Sequence, residues 1–359
     1  MVIASNLFLY LGYSIAMGLA VVQLQTLTNL KVQFKKTLYY GSMSIIPLAS
    51  FLPILDLSKS MSATFGLSFL EAIRMVLTTF QVGHAWIFIS VLSVISISVS
   101  FFPKMKGRAT IILQIILLVL IAFFISWSSH SGSSQGLSGI LTHMLHFVGF
   151  AIWIGPLFVL AWLTQPIHTL EKFHKWFSPL AFSGFMLIII SGLLLMNQLV
   201  PSYVNSWTVS YGQSLLIKHL FFIPLVLFGI RHAFLLSWNL SKLSNQQYLT
   251  SFKIESVIAL AIFAISAYMT EQVPPAEGDL SAELSPLYRF FQQGDILFAN
   301  SITIHFSITS LIMLLLSLGL IFSLGWLLIK RNHLVLALIG SLTVIILIYI
   351  AFMTSLVSI

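Results

Sequence analysis

Two histidines one helical turn apart have the residue type and spacing best suited to chemistry in this sequence. His143 and His146 are followed by Phe150, Trp153 and Leu157, a 3-4-3-4 spacing that places all five residues on one stripe of a helix. Imidazoles at positions i and i+3 of a helix can ligate a single metal ion. Trp153, about two turns deeper, could shield that ion. The alternative is a pair of interfacial histidines that bind water or lipid headgroups.

Three more side chains at the ends of apolar runs are candidate ligands for the same ion. His84 and His305 stand where apolar runs begin, and Met269 stands where another run ends. Ionisable groups cost about 2.5–3.5 kcal/mol at the middle of a membrane helix, so each one needs a reason. The Met269 thioether is a soft ligand that suits Cu(I), although a methionine in such a helix can equally be a packing residue. We therefore predict a metal site built from His143, His146, His84, His305 and Met269.

A lysine inside the seventh apolar run needs either a partner or a route to water. Lys218 lies about four residues into that run, which is roughly 6 Å along a helix axis. It could extend its ammonium group to the interface at modest cost. It could instead face the protein interior and pair with Glu271 or with an anion.

The composition excludes a water-soluble globular protein and several kinds of metal site. The chain has 359 residues, of which 58% are hydrophobic and only 7% are charged, whereas soluble domains carry about 25% charged residues. The absence of cysteine excludes disulfides, thiolate metal sites, iron–sulfur clusters and thiol nucleophiles. The net charge of +8 comes from basic residues between apolar runs, so it indicates membrane topology and no nucleic-acid partner is expected.

Ten apolar runs are each long enough to cross a bilayer, which takes roughly 20 residues. Twelve Lys and Arg residues lie in the connections after the odd-numbered runs, and three lie in the other connections. Basic residues favour the cytoplasmic side, so we predict an all-α, polytopic transmembrane helix bundle with both termini extracytoplasmic. The runs cover residues 3–28, 37–56, 84–103, 109–130, 140–164, 177–199, 214–237, 251–271, 301–329 and 333–357.

This orientation places the candidate ligands toward the outer face, where two connections are longer than plain turns. Residues 57–83 have apolar positions at helical spacing, which predicts an interfacial helix or a short re-entrant segment, and residues 272–300 form a mildly acidic loop. Ser183-Gly184 and Ser191-Gly192 predict close helix packing in the sixth run. We divide the chain into an N-terminal four-helix region (1–136), a four-helix core (137–276), and an outer acidic loop with two C-terminal helices (277–359).

The predicted core resembles the copper resistance protein D (CopD) family of bacterial membrane proteins over residues 137–276. The matching pieces are HFVGFAIWIG with His146, Trp153 and Gly155, then FSPLAFSGFMLIIISGLLL, then YGQSLLIK with Tyr211, Gly212, Leu216 and Lys218, and finally Glu255 and Pro274-Pro275. The second glycine that the family has after Gly155 is Pro156 here. The copper-binding CopC domain fused to some members is not expected in this chain.

The resemblance implies copper ion transport, as uptake across the bacterial cytoplasmic membrane. It marks His146 and Lys218 as motif positions, with Tyr211 among the matching residues, and it implies copper as the bound metal. Besides the lipid bilayer, a separate extracytoplasmic copper-binding protein is an implied partner. No enzymatic activity is expected, and without an ATP-binding loop the transport would be passive or ion-coupled.

Two other functions stay open from the sequence. Histidines on facing helices could give axial ligation to haem b, which would make the chain a membrane redox protein. Alternatively, the chain could be an assembly factor that delivers copper to a membrane oxidase without moving it across the bilayer.

Overall fold

The chain folds into α-helices, ten of which are long and apolar enough to cross a membrane. The computed structural model describes residues 1–24, 32–101, 107–164, 170–238, 245–278, 284–292, 301–328 and 333–358. Within these residues it has twelve α-helices and two short β-strands. All ten predicted spans coincide with the ten candidate membrane helices, which confirms the all-α, polytopic membrane fold. The side of the membrane on which the termini lie stays a prediction.

The first compact unit comprises Met1–Gln198. In it, α1 packs against α2, α5 and α6, while α4 contacts α2 and α5. Tyr13, Met17 and Met43 are fully buried at the centre of this unit. Its helices are α1 (Val2–Leu24), α2 (Lys35–Phe65), α3 (Phe69–Thr79), α4 (Gln81–Val99), α5 (Arg108–Trp127), α6 (His130–Leu163) and α7 (Leu170–Leu199).

Two glycines let the backbones of α1 and α6 touch. A Cβ atom on Gly18 would overlap the carbonyl group of Gly155, and one on Gly155 would overlap the carbonyl oxygen of Ser14. Small residues at such crossings let membrane helices approach closely enough for strong van der Waals contact. This contact fixes the depth of α6, the helix that carries the histidine pair, against the centre of the unit.

The start of α6 is broken at one residue. Gly136 has a φ of +58°, in the left-handed region that glycine adopts readily, so the residues before and after it form two helical segments. The helix therefore begins at His130 rather than at residue 140, where the apolar run starts. The segment before the break folds back on α5, because Gly132 lies against the carbonyl groups of Ser126 and Trp127.

The connection predicted to contain an interfacial helix does contain a short one. The second span continues to Phe65, beyond the predicted end at residue 56, and α3 follows. The side chain of Ser68 accepts from the backbone N–H of Glu71, and the Glu71 carboxylate accepts from the backbone N–H and the hydroxyl of Ser68. This capping box starts α3, and its hydrogen bonds hold the pKa of the Glu71 carboxyl below the ordinary value.

The second compact unit comprises Leu199–Ile359. In it, α8 packs against α9 and α12, and α11 packs against α12. A 3₁₀ turn (Asn205–Thr208) precedes α8. The helices are α8 (Ser210–Trp238), α9 (Asn245–Thr270), α10 (Pro286–Phe291), α11 (Ile308–Trp326) and α12 (Leu334–Met353). The sequence-based division into three regions, with boundaries at residues 136 and 276, is not tested by these two units and stays a prediction.

Two three-residue strands tie the last two membrane helices together. Strands β1 (Ile302–Ile304) and β2 (Leu356–Ser358) pair antiparallel, so the beginning of α11 and the end of α12 lie side by side. The sequence prediction extended the ninth span through β1 and the tenth span to residue 357, within β2. Three residues at the edge of a long apolar run are too few to show whether they form a strand or a helix, and the helix of the ninth span, α11, begins only at Ile308.

Candidate metal site

The predicted histidine pair lies on α6, and each imidazole is hydrogen-bonded to a serine of a neighbouring helix. Nδ1 of His143 lies 2.9 Å from Oγ of Ser126 on α5. Nδ1 of His146 lies 3.1 Å from Oγ of Ser191 on α7. Both rings are half-buried. The two imidazoles, one turn apart on α6, are therefore anchored to two different neighbours of that helix.

The serine beside His146 is itself fixed by its own helix. Ser191 is 1% exposed, and its hydroxyl donates to the carbonyl oxygen of Leu187, one turn earlier in α7. Gly192 lies beside the imidazole, and a Cβ atom at that position would make ordinary contact with the ring, 3.4 Å from Cε1 of His146. The Ser191-Gly192 pair, which the sequence indicates only as packing, thus lies against a histidine, and Ser191 is hydrogen-bonded to it.

A further polar contact joins α6 and α7 on the side nearer the break at Gly136. Nε2 of Gln198 donates to Oγ of Ser138 at 3.2 Å and to Oγ1 of Thr142 at 3.5 Å. Ser138 and Thr142 precede the histidine pair on α6, and Gln198 is next to the last residue of α7. The two helices are consequently joined by side-chain hydrogen bonds at the level of His146 and again at the end of α7.

Aromatic rings surround His143 on the side of α1. The imidazole stacks on Phe147 with ring centroids 6.3 Å apart and planes 12° apart. Phe147 in turn contacts Tyr13 at 4.6 Å and Tyr10 at 5.8 Å between centroids. The hydroxyl of Tyr13 donates to the carbonyl of Leu118 on α5, so this aromatic cluster is fixed at both ends.

Trp153 lies deeper along the same helix, between α6 and α7. It is 4% exposed and meets Phe185 edge to face at 5.8 Å between centroids. Gly184 of α7 gives the Trp153 side chain its space, since a Cβ atom at Gly184 would lie 3.0 Å from Cβ of Trp153. The indole is a packed core residue, and shielding of an ion by it stays a prediction.

His84 is hydrogen-bonded through the nitrogen that metals commonly use. Its Nε2 lies 2.9 Å from the carbonyl oxygen of Thr78, near the end of α3. Since a carbonyl can only accept, Nε2 of His84 carries the proton, and only Nδ1 could act as a ligand in the neutral ring. Its participation in a metal site stays a prediction.

The remaining predicted site residues belong to the second unit. His305 is exposed in the segment between β1 and α11, and its backbone N–H donates to the carbonyl of Ser355. Met269 is half-buried and Glu271 is exposed at the end of α9, whereas Tyr211 is 6% exposed at the start of α8. Lys218 is half-buried and makes no hydrogen bond or ion pair with any described residue, Glu271 included. The roles predicted for these residues stay predictions.

A histidine outside the predicted set has a defined partner in the second unit. Nδ1 of His219 on α8 lies 2.7 Å from the hydroxyl of Tyr203, in the connection before the 3₁₀ turn. Burial raises the pKa of Tyr203 to about 12, so the phenol keeps its proton at neutral pH. The pair could not be predicted from the sequence, because no short-range pattern relates a connection residue to a helix residue sixteen positions later.

The second unit also contains a buried guanidinium. Arg231 is 1% exposed, and it donates from Nε to the carbonyl of Leu328 at 3.1 Å and from an Nη atom to Oγ of Ser251 at 2.6 Å. Glu255, also 1% exposed and one turn beyond Ser251 on α9, interacts electrostatically with it. These contacts join α8, α9 and the residues just after α11.

The described part of the chain contains no larger group of metal-binding side chains. Within it, no three His, Asp or Glu residues gather closely enough to hold one ion. A cleft of about 390 Å³ in the second unit, between α8, α9 and residues 285–287, has Ser210, Ser214 and Gln213 in its lining. The amide of Gln213 is bonded to the Trp207 carbonyl and the Tyr349 hydroxyl. The histidine pair on α6 is therefore the most developed candidate site in the described residues.

Two family models and one curated protein match the chain. Residues 1–140 match the copper resistance protein D-like N-terminal domain, and residues 171–269 match copper resistance protein D. The chain is 31% identical over 145 residues, or 39% of its length, to the copper transport protein CutJ of Bacillus subtilis strain 168. That match spans 26% of CutJ, about a quarter of the relative's length. No solved structure matches the chain. Residues 141–170, with the histidine pair, lie between the two matched regions.

Proposed function

Because the chain belongs to the copper resistance protein D family, we propose that it carries copper ions across the bacterial cytoplasmic membrane. Ten helices that can cross a membrane and a matching relative named as a copper transport protein support this proposal. The names of the family and of the relative point to transport or resistance rather than to an enzyme. Copper is the cargo, and its passage needs protein ligands along the path.

The observation that carries the proposal is the anchored histidine pair on α6. Imidazole nitrogen suits copper in either oxidation state, and two imidazoles one turn apart can reach one ion. Cu(II) prefers a tetragonal set of nitrogen and oxygen ligands, whereas Cu(I) is stable with two. With two histidines and no third His, Asp or Glu gathered near them among the described residues, we propose that Cu(I) is the form bound at His143 and His146.

The proposed direction of transport rests on the distribution of basic residues among the connections. Twelve basic residues in alternate connections against three in the others favour termini outside the cell. That orientation puts His143 and His146 in the outer half of α6, so they would capture copper for uptake. The other predicted ligands and supporting residues stay predictions: His84, His305, Met269, Lys218, Trp153, Tyr211 and Glu271. A separate extracytoplasmic copper-binding protein stays a predicted partner.

Copper accumulation in cells tests this function directly. Cells that express the wild-type chain should accumulate copper, and a His143→Ala/His146→Ala variant should accumulate no more than cells without the protein. His333→Ala is the matched control, because His333 is an exposed histidine just before α12. If the double variant accumulates copper as the wild type does at equal membrane abundance, the pair is not the site.

Two measurements separate transport from the other two functions. A visible spectrum of the purified protein with a Soret band at one haem per chain would replace copper transport by a haem-b redox function. Normal total cell copper combined with failed maturation of a membrane oxidase would indicate delivery of copper to that oxidase. We expect metal analysis of the same purified sample to find copper and no haem.

A further inference from the structure

We propose that Ser191 is a positioning residue that holds His146 in the tautomer protonated at Nδ1, with Nε2 as the copper ligand. This inference rests on the proposed function for its copper part and on hydrogen bonds alone for its tautomer. It concerns a serine of α7 that lies outside the predicted ligand set. The Ser191 hydroxyl has one proton to donate and more than one neighbour that could accept it.

The hydroxyl of Ser191 has a single proton and two neighbours that compete for it. One is the carbonyl oxygen of Leu187, which can only accept; the other is Nδ1 of His146, which can donate or accept. A second carbonyl, that of Ile188, lies 3.4 Å away on the same side. Because carbonyl groups take the serine proton, the serine oxygen accepts from the imidazole. Nδ1 of His146 therefore carries a hydrogen.

This assignment makes the other nitrogen the metal ligand. A neutral imidazole with its hydrogen on Nδ1 has its lone pair on Nε2. Histidines that bind metals usually donate their second ring N–H to a fixed outer partner, which sets both the tautomer and the ring orientation. Ser191 has this role for His146, and the Leu187 carbonyl fixes Ser191 in turn. Gly192 lies next to the ring, with Nδ1 3.7 Å from where its Cβ would lie.

The tautomer of His143 is not fixed in this way. Among the described residues, Oγ of Ser126 has the imidazole of His143 as its hydrogen-bond partner and no carbonyl acceptor. Its proton can thus go to Nδ1 of His143, or the imidazole can donate to the serine. His146 is the histidine whose ligand nitrogen is fixed before copper arrives.

The test compares two serines of α7 that make the same bond to their own helix. Ser183 is exposed, and its hydroxyl donates to the carbonyl of Pro179 at 2.9 Å, one turn earlier, and is hydrogen-bonded to no histidine of the described part of the chain. The variants are Ser191→Ala, Ser191→Thr, which keeps a hydroxyl, and Ser183→Ala. Cu(I) affinity would be measured with a competing chelator on the full chain in lipid nanodiscs under reducing conditions. Histidine nitrogen NMR, assigned with His146→Gln, would report the tautomer without copper.

We expect Ser191→Ala to weaken Cu(I) binding about ten- to a hundredfold, Ser191→Thr to restore most of the affinity, and Ser183→Ala to have no effect. His146 should be protonated at Nδ1 in the wild type and should become a tautomer mixture in Ser191→Ala. A wild-type His146 protonated at Nε2, or a Ser191→Ala variant that binds as the wild type does, would overturn the inference and leave the transport function standing. A wild type that binds no copper would overturn the proposed function, and with it the copper role of Ser191.

Discussion

His146 of the first unit and His219 of the second unit are similar in sequence setting but are held in opposite ways. Each lies on a membrane helix, and each has Nδ1 within 3.1 Å of a hydroxyl. The Ser191 hydroxyl gives its proton to a carbonyl, so His146 donates to it. Tyr203 has no other acceptor for its proton among the described residues, so it donates to His219. In the neutral ring, the lone pair is then on Nε2 of His146, whereas Nε2 of His219 carries the hydrogen.

The charges around the two histidines strengthen this contrast. His219 follows Lys218, whose ammonium has no counter-ion among the described residues, so a cation at His219 would meet repulsion. Within the described part of the chain, the buried polar residues of the first unit are neutral, whereas the buried charged residues, Arg231 and Glu255, belong to the second unit. In the proposed function, the direction of the hydrogen bond and the local charge, rather than the presence of histidine, therefore distinguish the copper ligand His146 from the structural His219.

The largest expected effect is the loss of copper binding when His146, and not His219, is removed. His146→Ala should abolish Cu(I) binding at the α6 pair, because one remaining imidazole cannot hold the ion alone. His219→Ala should bind Cu(I) as the wild type does. Binding to the full chain in nanodiscs, measured with a competing chelator, checks both. The comparison between the two units fails if His219→Ala loses binding while His146→Ala keeps it.

The next effect concerns the buried charge of the second unit. Arg231→Ala should lower the free energy of unfolding by about 3–5 kcal/mol, because it leaves the buried Glu255 without the guanidinium. Unfolding in mixed micelles measures this loss. Arg289→Ala is the control: Arg289 is exposed on α10 and should change stability by less than about 0.5 kcal/mol. Equal effects of the two substitutions would show that the contacts of Arg231 between α8 and α9 do not stabilise the fold.

The membrane helices could be predicted from the sequence because each one is a long apolar run, and all ten were found. The sequence could not predict the paired strands Ile302–Ile304 and Leu356–Ser358, because their pairing joins segments that are more than fifty residues apart. The break at Gly136 was also missed. A glycine within a long, small-residue segment is compatible with a continuous helix, and its positive φ depends on how the preceding turn packs on α5.

The site was predictable on one helix and not across helices. The i, i+3 spacing of His143 and His146 is a property of α6 alone and can be read from the sequence. Their partners Ser126 and Ser191 are on two other helices, seventeen and forty-five residues away along the chain. A serine inside an apolar run usually satisfies its own helix carbonyl, so nothing in its local sequence identifies it as a histidine partner.

A larger side chain beside His146 should test whether the space at Gly192 matters. A Cβ atom there makes ordinary contact with the imidazole, so Gly192→Ala should bind Cu(I) almost as the wild type does. The extra methyl groups of Gly192→Val would meet the ring and move it from Ser191, and we expect Cu(I) affinity to fall about tenfold, or about 1.4 kcal/mol. Gly41→Val is the control, because no described atom lies within 4 Å of a Cβ atom at that position. Unchanged binding in Gly192→Val would mean that the ring position is not constrained.

The smallest effect should come from the tyrosine that holds His219. Tyr203→Phe removes one hydrogen bond and should cost about 0.5–1.5 kcal/mol of unfolding free energy, with Cu(I) binding unchanged. Burial raises the pKa of Tyr203 from 10.0 to about 12, so the neutral phenol is favoured in the folded chain. The stability that Tyr203 contributes is therefore complete below pH 10 and is lost as the pH rises toward 12. The difference in unfolding midpoint between wild type and Tyr203→Phe should shrink across that interval, since other tyrosines affect both proteins equally. A difference that stays constant from pH 8 to above pH 12, or a loss of copper binding, would mean that Tyr203 and His219 are not the purely structural pair that the comparison requires.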